Sequence, residues 1–213
     1  MKKDVVKFGK LLYDKDLTSA TSGNISVFDG KSVFITATGT ALGFLNEDDV
    51  VEIDLDGNEL ENGKKASSEK KMHLAIYKLR PDIKAIIHCH SPFATAFAAC
   101  RKELSAPIIA ENIIYFGKIP VAPYAMPSSQ QLVDNTVKEF VDYDTVLMAN
   151  HGIVSGGSDL TNAFHKIETA ETYAKTYVYS KIIGNQALLN EQELSKLAEL
   201  RKKFTENKIN IFY

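Results

Sequence analysis

Ile83-Lys84-Ala85-Ile86-Ile87-His88-Cys89-His90 is the stretch from which the rest of the chain can be placed. It lies between Pro81 and the helix-starting pair Ser91-Pro92, and its β-branched residues predict a buried strand. Side chains on a strand alternate faces, so His88 and His90 point the same way, about 7 Å apart at two residues' rise. Two imidazoles on one face of a rigid strand end are half of a metal site; the bland alternative is a pair of hydrogen-bonded core histidines. A third, His151, falls just past another apolar strand, Thr145 to Ala149, where Gly152 permits a sharp turn. Three histidines with an open position are a common catalytic arrangement, and Zn²⁺, Mn²⁺ or Co²⁺ would suit them equally. Cys89 projects to the opposite face and is not expected to be a ligand.

Working outward, the chain reads as strands first, then helices interleaved with strands. Val5, Phe8, Leu11 and Leu12 give an amphipathic helix over Asp4–Asp16. Ile25–Phe28 and Lys31–Thr36 form a hairpin about Asp29-Gly30, and Val50–Leu55 another about Asp56-Gly57-Asn58. Glu69–Leu79 is a helix closed by Pro81, and Ser91–Cys100 and Ser128–Phe140 are further helices. Val121–Tyr124 is a short strand. A long helix follows over Asp159–Ile183, and Asn190 with Glu193 caps a last one. The expected fold is α/β, three-layer α/β/α with a largely antiparallel central sheet, in one domain over 1–213.

The composition narrows the function classes. The 213 residues are 45% hydrophobic, enough for a substantial core. A net charge of −2 without a basic stripe argues against nucleic acid. Cys89 and Cys100 form no disulfide framework, which fits a reducing compartment. The charged N-terminus is unlike a signal peptide, and no apolar run approaches a membrane span, so a soluble cytoplasmic protein is expected.

Among the other candidates, His73 and His165 read as surface or packed imidazoles. Glu69 is the natural acid/base, set in the first turn of a helix where N–H groups and dipole favour an anion. A carboxylate beside a metal can be the fourth ligand at rest and the proton carrier in turnover. Ser67 and Ser68 with those N–H groups suit a phosphate. The turns Ser22-Gly23-Asn24 and Thr38-Gly39-Thr40 are further hydroxyl- and amide-rich pieces of one possible anion pocket.

The set Ser22-Gly23-Asn24-Ile25-Ser26, Thr36-Ala37-Thr38-Gly39, Ser67-Ser68-Glu69 with Arg80-Pro81-Asp82, His88-Cys89-His90, Ile119–Tyr124 and His151-Gly152 resembles the class II aldolase/adducin family. Within it, the L-fuculose-1-phosphate aldolase branch is the most similar. The match runs over almost the whole chain and thins after about residue 185. The resemblance implies one divalent metal, usually zinc, on His88, His90 and His151, with Glu69 as displaceable fourth ligand and acid/base. It implies that Gly23, Asn24, Thr38, Gly39, Ser67 and Ser68 hold the substrate phosphate, and that the protein is a homotetramer with sites at subunit interfaces. The implied reaction is reversible cleavage of a ketose 1-phosphate (L-fuculose 1-phosphate or a 5-deoxypentulose 1-phosphate) to dihydroxyacetone phosphate and an aldehyde, through a metal-stabilised enediolate.

The chain departs from the pattern where the branch carries two tyrosines. Ile109 occupies the position of one, the other aligns near Asn207, and Tyr115, Tyr213 and Glu111 are unmatched neighbours. The rival readings on the same frame are a ribulose-5-phosphate 4-epimerase, a methylthioribulose-1-phosphate dehydratase, and a non-catalytic adducin-like module. The retained histidines and glutamate argue against the last.

Overall fold

The computed structural model describes residues 1–61 and 63–206. Seven strands, β1 (Asn24–Phe28), β2 (Val33–Thr36), β3 (Val50–Ile53), β4 (Ala85–Cys89), β5 (Val121–Ala122), β6 (Thr145–Met148) and β7 (Gly152–Gly157), form one sheet in the order β3-β2-β1-β4-β7-β6-β5. Every pairing is antiparallel except β5 with β6. The three-layer α/β/α arrangement with a largely antiparallel sheet is what the sequence led us to expect.

The layers follow from strand alternation. Ala85, Ile87 and Cys89 of β4 join Ile25, Val27 and Ile153 in a core shared with α1 (Lys2–Asp14), α3 (Pro92–Ala99) and α6 (Leu160–Ile183). Ile86, between them, faces the other way with Val146, Met148 and Val154, against α2 (Lys70–Leu79) and α5 (Gln130–Glu139). His88, two residues on from Ile86, therefore faces the α2 layer. Caps set the helix starts. The Ser129 hydroxyl accepts from the Leu132 N–H at the head of α5, and the Asp159 carboxylate from the Asn162 N–H at the head of α6.

Three readings need correction. The sequence shows no strand between the one ending at Ala149 and the long helix, but Gly152–Gly157 is β7, buried throughout and paired with both β4 and β6. A helix α4 (Ala110–Phe116) was not anticipated; it packs against α7 (Glu191–Glu206), whose Asn190–Glu193 capping box forms as expected. His90 lies one residue past the end of β4 rather than inside it.

Candidate metal centre

Strand β4 sits in the middle of the sheet, antiparallel to β1 on one side and β7 on the other, with His88 opposite Asn24 and Val154. The His88 Nδ1–H donates to the Ile153 carbonyl at 2.9 Å, which fixes the tautomer and turns the Nε2 lone pair away from the strand. His90 follows immediately. Its Nε2 lies 3.2 Å from that of His88.

His151 comes from the tight turn between β6 and β7, where Asn150 takes φ 55° and Met148 pairs with Gly152. The turn is tied down by Asn150, whose N–H donates to Ala98 and whose side-chain oxygen accepts from Arg101. Gly152 is required here. A Cβ on it would meet the Cys89 carbonyl oxygen at 2.6 Å, His90 Cδ2 at 2.7 Å and His88 Cε1 at 3.1 Å. The three rings consequently gather with centroids 4.8–5.1 Å apart, and one ligand nitrogen from each lies within 4.8 Å of the others.

Glu69, at the N-terminal cap of α2, is 8% exposed and closes this cluster. Its Oε2 lies 3.4 Å from His88 Nε2 and its Oε1 lies 3.5 Å from His151 Nε2. Tetrahedral ligation with bonds of about 2.0–2.1 Å requires donor–donor edges of about 3.3–3.4 Å. The separations of 3.2, 3.4 and 3.5 Å lie near that edge, the last two reaching different oxygens of Glu69, and the histidine ligand nitrogens all lie within 4.8 Å of one another, so these donors are close enough together to share a small divalent cation.

The electrostatics favour the same use. Burial, then proximity to His88, pushes His90 and His151 down to about 4, leaving both rings neutral and able to ligate at neutral pH. Burial alone would raise the Glu69 carboxyl. The neighbouring His88 ring, the Asn24 N–H and then His151 outweigh it and hold the group below the usual glutamate value.

Behind Glu69 lies a chain of buried polar groups. Asn24 Nδ2 donates to Glu69 Oε2 at 2.8 Å, and Asn24 Oδ1 lies 2.6 Å from His73 Nε2. His73 Nδ1 is 2.7 Å from the Ser26 hydroxyl, which is 2.7 Å from the Tyr77 hydroxyl. Of the two expectations for His73, surface or packed, the packed one holds, but its link to Glu69 was missed. The signal was available: His73 is four residues after Glu69, one helical turn along the same face.

The candidate phosphate residues are placed as follows. An antiparallel bridge between Ala37 and Ala66, with Thr38 N–H donating to Lys65 and Ser67 N–H to Thr36, sets the Thr38-Gly39 turn beside Ser67-Ser68. Thr38, Gly39 and Ser68 are exposed; Ser67 is buried and accepts from the Glu69 N–H at 3.2 Å. Gly23 has φ 86°, and a Cβ there would meet the His88 carbonyl oxygen at 2.6 Å, so its absence lets the start of β1 lie close to β4. Asn24 is 5% exposed, with its amide turned to Glu69. Ile109 caps α4, Glu111 is exposed, and Tyr115 packs edge-on against Phe116 beside the core of α1, α3 and α6. Asn207 and Tyr213 lie outside the described residues.

Comparison with known proteins gives a consistent picture. Residues 3–178 match the model of the Class II Aldolase and Adducin N-terminal domain. An L-fuculose phosphate aldolase of Methanocaldococcus jannaschii is 39% identical over 85% of this chain and 98% of its own. A 5-deoxy-D-ribulose 1-phosphate aldolase of Bacillus thuringiensis serovar kurstaki is 36% identical over 93% of each. A solved L-fuculose 1-phosphate aldolase superposes with TM-score 0.86 at 38% identity, over 96% of this chain and 95% of that one.

Proposed function

This chain belongs to the class II aldolase and adducin family, and from that premise we propose that it is a metal-dependent lyase. It cleaves a ketose 1-phosphate, L-fuculose 1-phosphate or a 5-deoxypentulose 1-phosphate, reversibly to dihydroxyacetone phosphate and an aldehyde. The observation that carries this reading is the gathering of three imidazoles and one buried carboxylate within ligating reach of one another.

His88, His90 and His151 would hold the cation, with Glu69 as the fourth donor; a three-histidine set with a displaceable fourth position is common at catalytic zinc sites and supports zinc. A divalent cation held there supplies Lewis acidity toward the oxygens flanking the bond to be broken. The protein's own residues supply position and proton transfer. Glu69, once displaced by substrate, carries the proton to and from C3 of the dihydroxyacetone phosphate half, and its lowered affinity for protons keeps it a base at neutral pH. Thr38, Gly39, Ser67, Ser68, Gly23 and Asn24 hold the phosphate, binding remote from the reacting bond that orients C3 toward Glu69.

Single-domain organisation over 1–213 and a cytoplasmic location are part of the same proposal. So is a homotetramer with active sites at subunit interfaces: Ile182 and Ile183 at the end of α6, 76% and 85% exposed, are apolar surface that a neighbour would cover. No helix among the described residues is long and apolar enough to cross a membrane.

The test is to incubate the purified protein with a panel of ketose 1-phosphates and to measure dihydroxyacetone phosphate and free aldehyde, alongside elemental analysis for metal. Glu69→Gln should keep metal while losing exchange of the C3 proton of dihydroxyacetone phosphate. Epimerisation of a ketose 5-phosphate without release of aldehyde would overturn the reading in favour of the epimerase.

A further inference from the structure

We infer that Tyr77, Ser26, His73 and Asn24 form a hydrogen-bond string of fixed direction that holds the Glu69 carboxylate in place, which makes His73 a positioning residue for the proposed base. The inference rests on the reading of Glu69 as that base.

Each link forces the next. An ionised carboxylate only accepts, so Asn24 must present its NH₂ to Glu69 and its carbonyl oxygen to the other side. What lies there, His73 Nε2 at 2.6 Å, must then carry a proton. Complete burial drives the His73 pKa down to about 3, so the ring is neutral and its Nδ1 is an acceptor. The Ser26 hydroxyl at 2.7 Å must donate to it, and in turn accepts from the Tyr77 hydroxyl. Every proton in the string thus points toward Glu69 Oε2.

The sequence positions support a purpose beyond packing. Asn24 and Ser26 occupy alternate residues of β1 that face α2, where the neighbouring strands place Ile86, Val33 and Ile35. Asn24, Ser26, His73 and Tyr77 are 5%, 0%, 0% and 3% exposed. Aliphatic residues would fill the same space without the cost of burying four polar groups. The string does what aliphatic residues could not: it fixes which way the Asn24 amide faces, and hence which carboxylate oxygen of Glu69 is held and which is turned to His151.

Two measurements test it. Nitrogen-15 NMR of the imidazoles in the wild-type protein should show His73 protonated on Nε2 and bare on Nδ1; the opposite tautomer would overturn the string. Kinetics of C3 proton exchange on dihydroxyacetone phosphate should fall about ten- to a hundredfold in kcat for His73→Leu, with KM and metal content near wild type. His73→Gln, whose amide can still donate to Asn24, should recover much of the loss. Equal losses in both variants, tracking a common fall in melting temperature, would show a packing role and overturn the proposal. Ser26→Ala removes only the donor to Nδ1 and answers for His73→Leu if that variant does not fold. Its expected loss is smaller, with metal retained, and wild-type exchange in it would refute the string. Absence of exchange in the wild type would defeat the aldolase reading, while the tautomer would still decide the string.

Discussion

Gly152→Ala probes how closely the metal centre depends on one missing methyl group. The added Cβ would stand 2.6 Å from the Cys89 carbonyl oxygen and 2.7 Å from His90 Cδ2, where ordinary contact begins at 3.4 Å. The shortfalls, 0.8 and 0.7 Å by subtraction from the same values, must be absorbed by β4, by the His90 ring or by the hairpin. The carbonyl belongs to a central strand paired on both sides, so the ring and the hairpin yield first. Metal–ligand distances tolerate only about 0.2 Å, so a ring displaced by several tenths of an ångström no longer reaches the common point. Overpacking of this kind costs about 1–3 kcal/mol, and in a chain of this size each kcal/mol lowers the melting temperature by about 2–4 °C. We expect Gly152→Ala to fold, to melt roughly 2–12 °C lower, and to hold well under one metal ion per chain by elemental analysis. A variant with full metal content and an unchanged melting temperature would refute the argument that this glycine seats the imidazoles.

Other outcomes follow from the same geometry. His90→Ala should reduce metal content and turnover together, measured by elemental analysis and aldehyde release. In metal-free protein, His90 and His151 titrate near 4 against 6.5 for an ordinary imidazole, so the unfolded chain binds more protons between those values. Stability should therefore be complete above about pH 6.5 and decline toward pH 4. A thermal melting series across that range checks the sign, and a rise in melting temperature on acidification would contradict it. Chelation should lower the melting temperature reversibly, with recovery on adding Zn²⁺, because the ion binds only the folded arrangement. Asp159→Ala should cost about 1 kcal/mol by removing the cap of α6 and leave metal content unchanged.

How much of this was legible in the sequence depended on the kind of signal. The shared side of His88 and His90 follows from strand geometry alone, and the helix after Glu69 from the spacing of Met72, Ile76 and Leu79. His151 could be placed past a strand, but not at the tip of a hairpin, because β7 was not seen. Its sequence Gly152-Ile153-Val154-Ser155-Gly156-Gly157 is half glycine and buried on both faces, so it shows neither alternation nor a long apolar run. The glycines are there for packing: a Cβ at Gly156 would strike Ile83, and one at Gly157 would strike the start of α6. Helix α4 has only seven residues and too few turns to display a period. The Asn24 link between His73 and Glu69 was invisible for a different reason. Asn24 and His73 lie 49 positions apart, and only the β1–β4 register and the docking of α2 bring them together.

The imidazoles do not hang from equally firm supports. His88 and His90 belong to a strand and strand end clamped between two neighbours, and the far nitrogen of His88 is anchored to Ile153. His151 rides on a three-residue reversal, and its buried Nδ1 has no hydrogen-bond partner among the described residues. Escape of an ion held there should therefore be gated by that reversal swinging out while the sheet stays shut. The dissociation rate should follow the opening frequency read from amide exchange at Asn150 to Gly152, and should be independent of how slowly the molecule as a whole comes apart.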